Sequence, residues 1–286
     1  MKDLINLKEL HRYCSASIGE LMADLGGEIY GDKGDQFAFK DNSSQILAVA
    51  HLDTVQKGNH MAVAKLKGET LVFNPKLDDR LGVYTILEVL PKLGVSTDVL
   101  LTENEERGRS TAAYFQTDKK YNWIVEFDRR GDDVVTYVYN WERVVGKFFE
   151  TGMGSFSDIS ELEHLGCKAM NVGIGYHDEH SKRAYFVIED YVTQIERFVG
   201  FYGKYRDKRF KHEPRGHWYS GGYGAFEEFF LKCDNCGNHF YDDETVGDAM
   251  GYLCPHCGEH VSFDNITTEL ENDPGEQDLM FEELGI

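Results

Sequence analysis

Histidine and carboxylate residues follow several short apolar runs of this sequence, where they could bind metal ions. They stand in five motifs, which are HLD at 51–53, KLDDRLG at 76–82, ENEERG at 103–108, FDRRG at 127–131 and YHDEH at 176–180. Imidazole nitrogens and carboxylate oxygens are ligands of Zn²⁺ and of similar divalent ions. Two histidines and three carboxylates suffice for two such ions, and further acids remain for general-base catalysis. The residue types therefore indicate metal-assisted hydrolysis.

Each motif alone is a weak signal, because an ordinary structural role explains it equally well. A histidine at a strand end is often a surface residue, a pair of aspartates before a helix often caps it, and paired glutamates often face solvent. Their combination carries more information. Two metal ions roughly 3.5–4 Å apart lower the pKa of a shared water to near 7, which allows hydrolysis at neutral pH.

The elements that must position these residues alternate along the chain. Apolar runs predict strands over 28–30, 36–39, 46–50, 98–101, 123–127, 134–139 and 169–173, and helical spacing predicts helices over 3–25, 80–90, 111–116, 158–165 and 189–205. This alternation indicates an α/β sheet that is covered on both faces. Ligands of such sheets gather beyond the carboxyl ends of the strands. The five motifs stand where strands should end, and we therefore expect them to converge there.

As an ordered set, the motifs HLDTV, KLDDRLG, TENEERG, FDR and GYHDEHS resemble those of the co-catalytic dizinc peptidases, which include aminopeptidases, carboxypeptidases and related deacylases. The resemblance covers roughly residues 1–205. It implies a three-layer α/β zinc-exopeptidase-like domain with a mixed central sheet, which we assign to residues 1–206. It also implies two catalytic Zn²⁺ ions, for which Co²⁺ or Mn²⁺ could substitute.

The resemblance also implies a role for each site residue. Asp78 would bridge the two ions, Asp53 would orient His51, and Glu105 would be the general base. The implied metal ligands are His51, Asp78, Glu106, Asp128 and His180. His177 competes with His180 for the last position, although the family pattern favours the histidine that precedes a serine.

The sequence departs from the family in two places. Ala184 stands where the family often has an acid, so that one supporting contact is missing. The interval between His51 and Asp78 is too short for an inserted dimerisation or lid domain, and a compact single catalytic domain is therefore expected.

Two further features lie near the predicted site. The glycine-rich segment 151–158 precedes a helix, and it either binds a substrate carboxylate or tetrahedral oxygen or simply caps that helix. Four arginines either meet a substrate carboxylate or balance the acidic cluster, namely Arg80, Arg107, Arg129 and Arg130.

Four of the six cysteines form two CxxCG motifs, which are Cys233, Cys236, Cys254 and Cys257. This spacing predicts a small zinc ribbon over 227–263, in which four thiolates bind one structural Zn²⁺. A redox pair and rubredoxin-like iron are the alternatives. Cys14 and Cys167 are expected to be plain structural thiols.

Charge is distributed unevenly along the chain, whose net charge is −20. From residue 226 onward there are sixteen Asp and Glu residues against one lysine. Nucleic acid is therefore not an expected partner. A basic, glycine- and aromatic-rich stretch at 207–226 is the predicted linker. The acidic tail at 264–286 either solubilises the protein or, like the ribbon, binds a protein partner.

No run of 18 apolar residues and no signal peptide are present, so we expect a cytoplasmic protein without a membrane partner. The favoured function is a metallopeptidase that removes N-terminal residues from peptides. A deacylase of N-acyl amino acids or amides on the same site is the second hypothesis. An inactive scaffold with a protein-binding ribbon is the third.

Overall fold

The structure of the protein is a computed structural model that describes residues 4–213 and, beyond them, 230–232, 236, 239–241, 247–248, 251–254, 257 and 260–262. The chain divides into two compact units, Met1–Arg215 and Gly216–Ile286. The boundary between these units falls within the stretch 207–226. The acidic tail at 264–286 lies outside the described residues. No helix in the described ranges is long and apolar enough to cross a membrane.

Two β-sheets form the framework of the first unit. Its strands are β1 (Glu28–Tyr30), β2 (Phe37–Lys40), β3 (Ile46–His51), β4 (Ala62–Leu66), β5 (Glu69–Phe73), β6 (Asp98–Thr102), β7 (Trp123–Arg129), β8 (Asp133–Val135), β9 (Glu150–Thr151), β10 (Ala169–Gly173), β11 (Tyr176–His177) and β12 (Tyr185–Val187). The larger sheet has the order β1-β2-β6-β3-β7-β10-β8-β9, and the smaller has the order β11-β12-β5-β4.

The larger sheet is mixed, as expected. Strands β6, β3, β7 and β10 run parallel, and β2 and β8 flank them in the antiparallel direction. Every residue of β3 is buried, which is typical of a central parallel strand covered on both sides. Because the four parallel strands end at the same edge, the residues that follow β3, β6 and β7 lie close together in space.

Apolar side chains cover both faces of this sheet. Along β3, Ile46, Ala48 and Ala50 belong to one hydrophobic cluster, whereas Leu47 and Val49 belong to another. This alternation follows from the two-residue period of a strand. The first cluster includes the aromatic face of the last helix of the first unit, and the second includes residues of the segment 158–165.

The helices of the first unit are α1 (Leu7–Ser15), α2 (Ile18–Leu25), α3 (Leu77–Tyr84), α4 (Leu90–Lys92), α5 (Glu142–Val145) and α6 (Ile188–Tyr205). A π-helical turn over Thr85–Val89 joins α3 to α4. Between residues 5 and 213, four segments are 3₁₀ helices, at Glu105–Arg107, Thr111–Tyr114, Tyr137–Tyr139 and Asp158–Leu165.

Two predicted elements differ from the structure. The helix expected over 3–25 is two helices, because Ser17 has an extended backbone and forms a capping box with Glu20 that starts α2. The strand expected over 134–139 ends at Val135. Tyr137 then adopts a positive φ of 46°, which no extended strand permits, and the chain turns into a 3₁₀ helix.

The smaller sheet was not expected from the sequence, yet it positions two of the acidic and histidine motifs. Strand β5 leads into α3, which begins with the motif around Asp78. Strands β11 and β12 form the hairpin whose connection carries His180. Strand β5 pairs with β12, so the two motifs are held beside one another.

Residues 208–212, the first part of the predicted linker, pack within the first unit. Phe210 donates its backbone N–H to Asn122, and His212 donates to the carbonyl of Gly166. The second unit contains the strands β13 (Phe230–Lys232), β14 (His239–Tyr241), β15 (Gly247–Asp248), β16 (Gly251–Leu253) and β17 (His260–Ser262). These strands pair as one two-stranded and one three-stranded sheet.

Candidate functional site

The structure brings the predicted site residues of all five motifs together at one edge of the larger sheet. His51 is the last residue of β3, and Asp128 lies near the end of β7. Glu105 and Glu106 begin the 3₁₀ helix that follows β6. Asp53 follows β3, Asp78 lies at the start of α3, and His180 lies in the connection between β11 and β12.

The two histidines approach opposite oxygens of a single carboxylate. The Nε2 atom of His51 lies 3.2 Å from Oδ1 of Asp78, and Nε2 of His180 lies 3.1 Å from Oδ2 of the same residue. His51 Nε2 also lies 3.5 Å from Oδ2 of Asp128. His180 Nε2 lies 3.0 Å from Oε2 of Glu106. Asp78 is thus shared by two groups of potential ligands.

These distances fit the binding of metal ions. Potential ligand atoms of His51, Asp78 and Glu106 lie within 4.8 Å of one another, as do those of His51, Glu105 and Asp128. Among the described residues, the buried Oε1 atom of Glu106 has no hydrogen-bond partner. A buried carboxylate oxygen without a partner is costly, and a cation would stabilise it. Mixed imidazole and carboxylate donors suit Zn²⁺ and similar ions.

The crowding of acidic groups shifts several pKa values in the site. Burial raises the pKa of Glu105 to about 9, and the negative charge of Asp128 adds to that rise. Burial likewise raises the pKa of Asp128 to about 7, with a further contribution from Asp78. Hydrogen bonds to Asp78 and Glu106 raise the pKa of His180 to about 10. Positive charge is therefore favoured at the centre of the cluster.

Asp53 connects the first histidine with the glutamate pair. Its Oδ1 atom lies 3.5 Å from Nδ1 of His51, and its backbone carbonyl lies 3.0 Å from the same nitrogen. Its Oδ2 atom accepts a hydrogen bond of 3.2 Å from the backbone N–H of Glu106. Asp53 therefore contacts the imidazole on the side that faces away from Asp78.

Asn104, which directly precedes the glutamate pair, holds this part of the chain by hydrogen bonds. The sequence did not reveal this role. Its backbone is left-handed, with φ of 72°. Its amide donates hydrogen bonds of 2.9 Å to the carbonyl of Gly34 and to Oδ1 of Asp35, in the turn between β1 and β2. Asparagine is one of the few residues that tolerate this conformation, and this tolerance was the only signal available.

A cleft of about 320 Å³ opens beside the cluster. Its lining includes the predicted residues Asp78, Glu105, Asp128 and His180, together with residues that were not singled out from the sequence. Tyr176 donates a hydrogen bond of 3.0 Å to Oδ1 of Asp128. With 16 tyrosines in the chain, neither Tyr176 nor Tyr137 offered a distinguishing signal.

The glycine-rich segment 151–158 forms part of the wall of the cleft through Gly154, Ser155 and Phe156. A Cβ atom on Gly152 would lie 1.7 Å from Oδ2 of Asp133, and one on Gly154 would lie 3.1 Å from the ring of Tyr137. A side chain at Gly152 would displace the carboxylate of Asp133, whereas one at Gly154 would require a small shift of the Tyr137 ring. The segment is therefore a closely packed wall of the cleft.

His177 and the arginines near the motifs occupy varied positions. His177 packs its ring against Tyr185, with 5.1 Å between ring centroids, whereas His180 faces the acids. Arg129 and Arg130 line the cleft. Arg80 is buried, and it is absent from the residues that line the cleft.

Three of the four motif cysteines are described in the second unit. The Sγ atoms of Cys236 and Cys254 lie 3.7 Å apart, and Cys257 belongs to the same potential metal-binding group. Zn–S bonds of about 2.3 Å in a tetrahedron place sulfurs roughly 3.8 Å apart, so this spacing suits one ion. Cys233 lies outside the described residues. Cys14 and Cys167 are buried in the first unit.

Comparison with known proteins adds information about the fold. No family model and no curated protein matches this sequence. The structure is similar to that of a tripeptidase from Staphylococcus aureus subsp. aureus mu50, with a TM-score of 0.51 and 9% identity, over 71% of this chain and 98% of that chain. It is also similar to an aminopeptidase from the archaeon Desulfurococcus kamchatkensis, with a TM-score of 0.51 and 13% identity, over 71% and 95% of the two chains. The first unit therefore has a mixed α/β fold similar to aminopeptidase domains.

Proposed function

We propose that the protein is a dizinc metallopeptidase that removes N-terminal residues from peptides. The single observation that carries this proposal is the position of Asp78, whose two oxygens face His51 and His180 beside an open cleft. The similarity to an aminopeptidase and a tripeptidase supports the same class of fold.

In this proposal His51, Asp78 and Asp128 would hold one ion, and Asp78, Glu106 and His180 would hold the other. When bound, the ions would supply a water of lowered pKa and stabilise negative charge on the substrate oxygen. Asp53 keeps Nδ1 of His51 protonated and fixes the orientation of the ring for metal binding.

Glu105 is the proposed general base. Its carboxylate lines the cleft, and its Oε2 atom lies 3.8 Å from Nε2 of His51. Neither of the two proposed ion positions uses Glu105 as a ligand. The positive charge of bound ions would lower the raised pKa of Glu105, so that its carboxylate could accept a proton from reacting groups. Glu105 takes a proton from the attacking water and delivers it to the leaving nitrogen.

The choice of a substrate with a free amino terminus rests on the similarity of the fold to an aminopeptidase and a tripeptidase. The cysteine group of the second unit is a separate, structural zinc site in this proposal, because four thiolates leave no position for a substrate.

A pair of matched substrates tests the proposed function. Zinc-loaded protein is assayed on a tripeptide such as Leu-Gly-Gly and on its N-acetylated form, with release of leucine or acetyl-leucine measured by chromatography. We expect cleavage of the free peptide to exceed that of the acetylated peptide by about 100-fold or more, which corresponds to roughly 2.7 kcal/mol. A preference for the acetylated peptide would instead identify a deacylase, and cleavage of neither would contradict the proposal.

A further inference from the structure

Two adjacent arginines line the cleft, and their side chains are engaged differently. The Nε atom of Arg129 donates to Oδ1 of Asp133 at 2.8 Å, and its Nη2 atom donates to Oδ2 at 2.9 Å. This paired geometry occupies one edge of the guanidinium. The backbone at Gly152 packs directly against the carboxylate of Asp133. Arg129 is therefore a structural support for the wall of the cleft.

The guanidinium of Arg130 remains largely available. Its side chain is 63% exposed, against 20% for Arg129. Within residues 4–213, the contact recorded for its side chain is a single one, from Nη1 to Oε1 of Glu179 at 2.5 Å. An arginine offers five N–H donors in a planar fork. Most of those donors therefore face the cleft or solvent without a partner among the described residues.

The backbone around Arg130 is fixed although its side chain is exposed. The carbonyl of Arg129 accepts a hydrogen bond of 3.1 Å from the N–H of Ile174. Gly131 donates to the carbonyl of Tyr176 at 3.0 Å and accepts from the N–H of Gly175 at 2.7 Å. Hydrogen bonds on both sides of Arg130 thus tie this turn to the chain segment that leads to His180. The backbone at Arg130 therefore needs no ordering when its side chain binds a ligand.

We infer that Arg130 binds the free α-carboxylate of a short peptide substrate and so favours small peptides with an unblocked carboxyl terminus. This inference rests on the proposed function. The planar fork of a guanidinium matches a carboxylate in two parallel hydrogen bonds. Glu179 holds one nitrogen and orients the group without occupying the rest of it. A cleft of about 320 Å³ lies at the small end of ligand pockets, which suits a substrate of few residues.

The kinetic test compares the tripeptide Leu-Gly-Gly with its C-terminal amide, which differs only in the carboxylate. For the zinc-loaded wild-type protein we expect kcat/KM for the acid to exceed that for the amide by about tenfold or more. In Arg130→Met this ratio should fall to near one, and in Arg130→Lys it should be intermediate, because charge is retained and the fork is lost. Arg206→Met is the matched control, since Arg206 is similarly exposed and pairs with Asp207.

A binding measurement separates this inference from the proposed function. The same two peptides are prepared with a reduced CH₂–NH first bond, which cannot be hydrolysed, and their affinities are measured by calorimetry. Tighter binding of the acid to wild type, lost in Arg130→Met and kept in Arg206→Met, supports the role of Arg130 whether or not hydrolysis occurs. Equal binding of acid and amide to wild type, or an unchanged preference in Arg130→Met, overturns it. Absence of hydrolysis with the binding preference intact overturns the proposed peptidase alone.

Discussion

The two potential metal-binding groups of this protein are built in opposite ways. The acidic and histidine cluster draws on residues between positions 51 and 180, and long-range strand pairing brings them together. The described members of the cysteine group, Cys236, Cys254 and Cys257, lie beside the strands of short local hairpins. The first group borders an open cleft. The second consists of one ligand type with no spare carboxylate among its members.

Because of this difference, we expect the first group to serve reactivity and the second group to serve stability. The acids of the first group have different environments and can therefore serve different roles, such as the bridging proposed for Asp78 and the proton transfer proposed for Glu105. Four equivalent thiolates can only close a tetrahedron around an ion and hold a short segment in shape. Changes in the first group should therefore affect hydrolysis, and changes in the second should affect only the integrity of the second unit.

The largest expected effect concerns the general base. Glu105→Gln should lower kcat by about 10²–10⁴-fold, because the amide cannot accept the proton of the attacking water. Zinc content should stay at the wild-type value, since the other acids and histidines remain. Stopped assays with mass spectrometric zinc analysis measure both quantities. Glu196→Gln, on an exposed part of α6, is the control, and wild-type kcat in Glu105→Gln would refute the assignment.

The thiols of the two units should differ sharply in reactivity. Burial raises the pKa of Cys14 and of Cys167 to about 12. Because the thiolate is the reactive form, a pKa this far above pH 8 leaves each thiol with on the order of 10³ less thiolate than a free cysteine. Iodoacetamide at pH 8 should therefore spare both residues in the folded protein.

Cys236 and Cys257 are exposed, and we expect zinc alone to protect them. Peptide mapping after treatment with a chelator should show rapid modification of these two residues and none at Cys14 or Cys167. Equal modification with and without the chelator would show that no ion protects the second unit.

The smallest expected effect concerns the support of His51. Asp53→Ala removes the carboxylate beside Nδ1 of His51 and the acceptor for the N–H of Glu106. Metal affinity of the acidic cluster should fall by about 10–100-fold, as measured by competition with a fluorescent chelator. Asp207→Ala, at an exposed position outside the cluster, should leave the affinity unchanged. The same affinity in both variants would contradict the role of Asp53.

The central sheet and the site could be predicted because their signals are local and ordered. Buried parallel strands appear as apolar runs, and β3, β6 and β7 lie where such runs occur. The ligand-type residues follow these runs directly, so the topology alone places His51, Glu105 and Asp128 at one edge of the sheet. The roles assigned to these residues remain predictions.

Other features depend on contacts that sequence periodicity does not contain. Strand β4 is exposed along its whole length and β5 is mostly half-buried, so neither shows a strong alternating pattern. The turn at Tyr137 requires a positive φ, which the presence of a tyrosine in a sequence does not predict. The sequence does not distinguish Arg129 from Arg130. Only the structure shows that Arg129 is half-buried against Asp133, whereas Arg130 is exposed and contacts Glu179.

Zinc content per chain tests the central claim most directly. Protein purified without chelators should contain about three zinc ions per chain by mass spectrometry, two in the acidic cluster and one bound by cysteines. Asp78→Ala should retain about one ion, because Asp78 is shared by both positions of the cluster, and the double variant Cys236→Ser with Cys257→Ser should retain about two. Full zinc content in Asp78→Ala, or a single ion in the wild-type protein even after added Zn²⁺, would contradict a two-metal centre.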